Sequence, residues 1–379
     1  MITPIKCWLS LDYFVYFFSY GIFLPFISVW MNNEGIDPST IGLLLAFGLI
    51  ARFFGSLIIT SMVKRSDDLI SMLRFSSLMT FIFSIGLIVS SGWIWLLFII
   101  LGFNFFFSPM VPLTDSLTSN FQKNKNFNYG KIRVWGSIAF IISSTITGHL
   151  VSSYTHKSII YFLSISTFFM FLTMMFHPNI RNSFFSYKKV IFYQKTIKQL
   201  FIDRSIVRFL ICITLLQSSH AAYYGFSSIY WKEVGFSGKI IGWLWSISIL
   251  IEVILFIFSC SIFYKWKVNN LLFLSGFCAV TRWGLMACSK SLPILVICQL
   301  LHSGTFTVCH LASIQFINSK NETVIVRLQA LYSSLGLGIG LAISTILTGY
   351  FYKYVINHGS IFWFMVIIAI PSVFIRPNK

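Results

Sequence analysis

The chain has 379 residues, of which 56% are hydrophobic and 10% charged, and its mean hydropathy is +0.81. Soluble domains carry about a quarter charged residues, and no soluble core of this length hides so much apolar surface, so a soluble fold is excluded. The net charge of +18 does not point to nucleic acid, because the lysines and arginines gather in alternate loops rather than along one face. That is the pattern of a chain that threads a bilayer with its basic loops inside.

A spanning helix needs about 20 apolar residues at about 1.5 Å rise each. Such runs begin near Trp8, Ser39, Ile70, Trp93, Ile132, Ile159, Ile206, Lys239, Leu271, Leu292, Val324 and Ile361. They predict about twelve transmembrane helices and an all-α integral membrane fold, since lipid forbids open strand edges. The first run starts after Lys6 and passes Pro25 to reach Trp30. It is longer than a signal-peptide core and has no small-residue cleavage site, so it is expected to be retained. Asp12, in its first turns, is expected to snorkel to the cytoplasmic surface.

The second run opens at Asp37-Pro38, a fitting N-cap and first helical position, and carries Arg52 at mid-membrane depth. Arg52 either guides an anion or neutralises Asp12 or a helix end. Asp115 ends the fourth run and Arg133 begins the fifth. Folding the chain at Lys123-Asn124-Lys125-Asn126 brings this carboxylate and guanidinium to similar depth, as a structural ion pair or as a substrate contact. The segment from Arg181 to Arg204, with Lys188, Lys189, Lys195 and Lys198, is the main basic internal loop. It predicts a six-helix bundle over residues 1–179, a cytoplasmic linker over 180–205 and a second six-helix bundle over 206–379, with both termini cytoplasmic.

The second half echoes the first: Gly35, Ile41, Gly42 and Leu44 fall over Gly235, Ile241, Gly242 and Leu244. Arg52 in one half and Glu252 in the other stand at matched positions. Duplicated bundles with opposite charges at equal depth suit a transport site worked by alternating access. Further along, Arg282, His220 and His302 lie within apolar runs, and His310 is expected to be a satisfied contact between helices. An ionised group in lipid costs a few kcal/mol or more unless it meets water or a partner, so these residues are the functional candidates.

Other chemistry is not supported. The seven cysteines form no CxxC pair and are expected to be buried thiols, with neither a disulfide framework nor a metal site. Gly336-Leu337-Gly338-Ile339-Gly340 has no strand before it and reads as close helix packing, so no nucleotide and no other cofactor is expected. No HxxxH, DxxxD or HExxH pattern marks a membrane enzyme.

The run Tyr129-Gly130-Lys131-Ile132-Arg133-Val134-Trp135-Gly136 resembles the Gly-basic-x-Arg-x-aromatic-Gly signature that opens helix five in the lactose permease branch of the major facilitator superfamily. Asp115 stands where that branch has its substrate-binding carboxylate. The same resemblance matches Glu252 to a helix-eight carboxylate, Arg282 to the helix-nine arginine of a proton relay, and His302 to a helix-ten histidine. Two positions depart from it: Gln299 replaces a lysine, and Thr305 replaces the carboxylate one turn after the histidine. After the second helix, the loop from Met62 to Asp68 keeps the charges of the superfamily pattern but not its glycines. A longer likeness, carried by Tyr16 to Phe26, Pro112-Leu113-Thr114-Asp115, His220 to Phe226 and His302 to Leu311, is to the 3-phenylpropionate transporters of enteric bacteria.

The resemblance implies a major facilitator fold in the bacterial inner membrane and inward transport of an aryl carboxylate with a proton, by a functional monomer. Proton-coupled sugar or nucleoside uptake, or export of a drug or metabolite, is the alternative on the same fold. Arg133 is the expected anion clamp, with Asp115 beside it. Trp135, Tyr223, Tyr224 and Trp243 are candidates for the wall against the ring. Glu252 and His302 are the expected proton carriers, with Arg282 tuning them, while Arg52 and His220 remain possible contributors.

Overall fold

The computed structural model describes residues 4–63, 66–125, 129–176 and 200–377. The expected basic linker residues 181–199, the loop residues Lys64 and Arg65, and Asn126 lie outside the described residues. Among the described residues, eleven helices are long and apolar enough to cross a membrane: α1 (Ile5–Asn33), α2 (Pro38–Met62), α3 (Asp68–Val89), α4 (Trp93–Ser119), α5 (Tyr129–Ser153), α6 (Ser158–Met175), α7 (Arg204–Glu233), α8 (Gly238–Ile262), α9 (Val268–Cys288), α10 (Leu292–Asn318) and α11 (Arg327–Tyr354). A shorter apolar segment, α12 (His358–Phe374), completes the series.

By contacts the chain forms two compact units. In the first, α1 packs on α5 and α6, while α3 packs on α6 and α4. In the second, α7 packs on α11 and α12, while α9 packs on α12 and α10. One packing scheme is therefore used twice, as the sequence echo implies. The turns repeat as well: Gly35 (φ 83°) and Gly235 (φ 103°) both take the left-handed backbone that glycine alone adopts without strain. Beside each turn a glutamate meets a histidine. Glu34 Oε1 lies 3.0 Å from His156 Nε2, and Glu233 Oε2 lies 2.5 Å from His358 Nδ1.

Lipid offers no hydrophobic drive between helices, so close packing relies on small residues. A Cβ on Gly55 of α2 would lie 2.0 Å from the Phe105 carbonyl of α4, and one on Gly102 would overlap the Phe83 ring of α3. The starts of two helices pack outside their own half of the sequence. Residues 37–46 belong with the second unit and 236–246 with the first. Gly42 abuts Thr345 and Gly349 of α11, and Gly242 abuts Ser144 and Thr145 of α5. Asp37 caps α2 as expected, accepting hydrogen bonds from the backbone amides of Ser39 (3.1 Å) and Thr40 (3.4 Å).

The cysteines differ from expectation. All are free, but Cys7, Cys260 and Cys288 are exposed, while Cys212, Cys298 and Cys309 are buried. The exposed three lie close to helix ends, where apolar sequence alone does not enforce burial. His310 is the expected interhelical contact, with Nδ1 3.3 Å from the Tyr332 hydroxyl.

Candidate functional site

Helix interruptions and polar clusters coincide. α4 breaks at Ser108-Pro109, α7 at Ser219-His220, and α10 at Leu301 and again at Phe306, while α11 widens to a π-helix over Tyr332–Gly340. Pro109 has no N–H to continue the ladder. Irregular backbone at membrane depth persists only where protein or water satisfies it, so the breaks mark where polar groups are needed.

In the first unit, Arg133 Nη1 donates to Asp115 Oδ1 at 2.8 Å and to the Tyr129 hydroxyl at 3.1 Å. The same Oδ1 accepts from the hydroxyls of Tyr13 (2.5 Å) and Tyr129 (2.8 Å). Among the described residues, Arg133 Nε and Nη2 donate to no protein atom, so one edge of the guanidinium fork is open. Three rings surround it: Tyr13 (5.6 Å), Phe17 (5.8 Å) and Tyr129 (6.0 Å from ring centroid to guanidinium carbon). Side-chain exposures of 38% for Arg133 and 34% for Asp115 leave the pair accessible.

Next to it, and against expectation, Asp12 is buried rather than snorkelled, with 1% exposure. Its Oδ2 accepts the Thr114 hydroxyl at 2.5 Å, and its Oδ1 is buried without a partner. The reason is register: Asp12 and Tyr13 on α1 face Thr114 and Asp115 on α4, so the two adjacent pairs brace each other. Arg52 does not neutralise Asp12. Its guanidinium lies over the Tyr20 ring at 4.9 Å, and its carbonyl accepts from Ser108 at the α4 break.

In the second unit, Arg282 is fully buried. Its Nε donates to the Cys298 carbonyl (2.8 Å), Nη1 to His302 Nδ1 (3.0 Å) and Thr305 Oγ1 (3.3 Å), and Nη2 to Gln299 Oε1 (3.3 Å). The guanidinium is stacked near Tyr223 (4.2 Å) and Trp283 (4.4 Å). Because a guanidinium only donates, His302 Nδ1 accepts and its proton sits on Nε2, 3.7 Å from Glu252 Oε2. Ser248 donates to Gln299 Oε1 (2.7 Å), and the hydroxyls of Ser248 and Tyr223 are 3.0 Å apart. His220 Nδ1 lies 3.0 Å from the Leu216 carbonyl, and Nε2 lies 3.1 Å from Thr305 Oγ1.

The structure thus brings Arg133 and Asp115 together in one cluster, and Arg282, His302, Glu252, Tyr223 and His220 in another. Tyr224 joins the second through its stack on His220 (centroids 5.5 Å apart). Trp135 and Trp243 lie at the surface, 46% and 65% exposed. Sequence reasoning missed Tyr13, Thr114, Tyr129 and Ser248. The signal for Tyr129 was available: it precedes Arg133 by one helical turn and shares its face. Gln299 and Thr305, noted as departures from the permease pattern, are here the acceptors that hold Arg282.

A twice-used helical packing scheme, membrane-length helices and charge clusters beside helix breaks mark a multi-pass membrane transporter of the major facilitator class. The chain belongs to the MFS_1 like family, whose model matches residues 6–366. It is 44% identical over 380 residues to the probable 3-phenylpropionic acid transporter of Escherichia coli (strain K12), covering 100% of this chain and 99% of that one. An uncharacterized transporter of Bacillus subtilis (strain 168) is 23% identical over 363 residues, 95% of this chain and 89% of its own. The crystal structure of the nucleoside transporter NupG superposes with a TM-score of 0.83 at 16% identity, covering 98% and 97% of the two chains. That of a D-xylose-proton symporter superposes with 0.70 at 10% identity, covering 98% and 96%. These structural matches establish the shared fold.

Proposed function

We propose that the protein takes up an aryl-substituted monocarboxylate such as 3-phenylpropionate together with a proton, by alternating access of two bundles over residues 1–179 and 206–379. The observation that carries this reading is the half-used Arg133 fork. Asp115 engages only Nη1, which leaves Nε and Nη2 for a carboxylate, and the half-buried rings of Phe17 and Tyr129 beside the guanidinium could take an aryl group, while Tyr13 is fully buried behind Asp115. The name of the Escherichia coli relative supports the same substrate class.

Proton coupling follows from energetics. A monocarboxylate entering a cell that is negative inside works against about 2.3 kcal/mol per 100 mV. One accompanying proton cancels that charge and adds the pH gradient. Glu252 and His302, 3.7 Å apart beside Arg282, are our candidates for a proton acceptor whose affinity depends on conformation. We keep Tyr224, Trp135 and Trp243 as candidate ring contacts, while Tyr223 is engaged with Ser248 and Arg282. We place the monomer in the bacterial inner membrane with both termini cytoplasmic, on the loop charges.

Uptake of labelled 3-phenylpropionate into vesicles under an imposed pH gradient tests the reading, with sugars, nucleosides and other aryl acids as competitors. Accumulation that collapses with the gradient and is blocked by aryl acids alone is expected. Arg133→Gln is expected to lower uptake about tenfold or more, since a hydrogen bond to a charged group contributes about 1.5–3 kcal/mol. Competition by sugars or nucleosides instead would overturn the substrate assignment.

A further inference from the structure

Asp12 is a buried carboxyl group that the proposed anion site does not use. An ionised carboxylate presents two oxygens that each take up to about two hydrogen bonds. Asp12 receives one, from Thr114, and its Oδ1 is buried without any. The groups around it do not supply a counter-charge. On its own helix stands Tyr13, whose hydroxyl is given to Asp115. On α4 stands Asp115, a second acid, and on α5 stand Tyr129 and Arg133, both turned to Asp115. α6 carries no charged residue. Among the described residues no lysine, arginine or histidine nitrogen lies within ion-pairing distance of Asp12. As a neutral acid Asp12 would still leave one oxygen unpaired, but an uncharged one, which is far less costly to bury.

The brace gives this acid a consequence for transport. Asp12 and Tyr13 are chain neighbours, as are Thr114 and Asp115, and the two bonds between the pairs cross from α1 to α4. Whatever moves Asp115 away from Arg133 therefore pulls on the residue that holds Asp12. An incoming carboxylate on the Arg133 fork adds a second negative charge to a cluster in which Asp115 already offsets the guanidinium. An ionised Asp12 would add a third.

We propose that Asp12 is a proton-binding residue of the anion site, present as a neutral carboxylic acid when Arg133 accepts its anion, and that its ionisation expels the anion. The inference rests on the anion reading of Arg133 given above, and it assigns the first unit a protonation site separate from Glu252 and His302. The proton leaves from Asp12 to water on the side where the anion is released. Binding of proton and anion is then mutually reinforcing, by linkage.

The test uses the full-length protein in liposomes, with 3-phenylpropionate binding measured across pH and the infrared C=O stretch of neutral carboxylic acids recorded in parallel. In the wild type, affinity is expected to fall by about tenfold per pH unit once Asp12 begins to ionise. Asp12→Asn, which mimics the neutral acid, is expected to bind as tightly as the wild type at low pH and to lose that pH dependence. A wild-type infrared band at neutral pH, absent from Asp12→Asn and shifted in Thr114→Val, would identify the proton directly. Asp12→Asn with an unchanged pH slope, or a wild type without that band, overturns the proposal. Failure of the anion reading looks different: Arg133→Gln would bind like the wild type, while the Asp12 band persists. Should Asp12→Asn not assemble, the band and its shift in Thr114→Val decide the matter.

Discussion

Arg282 shows what the sequence reveals about a single residue and what it withholds. A lone arginine in an apolar run announces a partner, because unpaired charge at that depth is expensive. Its partners could not be read, since a carbonyl freed at Cys298, an amide at Gln299 and a hydroxyl at Thr305 carry no charge pattern. The arrangement makes Thr305 a hinge of the cluster: it accepts from Arg282 and faces His220. Thr305→Val is expected to lower unfolding stability by about 1–3 kcal/mol, the cost of stranding a buried polar group, and thermal unfolding in detergent would measure it. Thr305→Ser keeps the hydroxyl and should retain most of that stability. Arg282→Lys should fare worse than its conserved charge suggests, because an ammonium cannot reach four acceptors spread around a planar fork.

Among the elements, hydropathy located the membrane-length helices, but it could not locate their interruptions. A window average passes over Ser219-His220 or Leu301 without a dip, whereas Pro109 gave at least one break a visible cause. The start of α2 was the most legible feature. At Asp37, burial pushes the carboxyl up, but hydrogen bonds from Ser39 and Thr40 and the Lys353 ammonium outweigh it and hold it well below the usual range. A lowered carboxyl contributes its full stability above the unfolded value of about 3.9 and loses it as pH falls towards the folded value. Asp37→Ala is therefore expected to cost about 1 kcal/mol at pH 7, and the gap to the wild type should close only below about pH 4. A pH-independent gap would show that the cap acts through shape alone. Lys353 lies 3.4 Å away, but both partners are well exposed, so Lys353→Ala should change little. Gly42 allows no such tolerance. A Cβ there meets the Thr345 carbonyl at 2.9 Å and Gly349 at 3.0 Å, both backbone atoms. Gly42→Val should therefore displace backbone at this contact and lower thermal stability in detergent relative to the wild type.

For the molecule as a whole, the doubled architecture was legible because both repeats carry a glycine at the same left-handed turn. Gly35 and Gly235 persist since only glycine suits their backbone, and each carries a Glu–His clasp beside it that no motif search would join across so long a stretch of chain. Gly35→Ala and Gly235→Ala should each cost about 1–2 kcal/mol for forcing a side chain into left-handed backbone, by the same amount in both repeats if the duplication is structural. The contact units, however, are not two consecutive lengths of sequence, because residues 37–46 and 236–246 are traded between them. Severing the gene between codons 177 and 199 would therefore produce two polypeptides, each holding a segment whose contacts lie in the unit built mostly from the other. Made alone, either piece should be cleared by membrane proteases. Made together from separate messages, they should rescue one another.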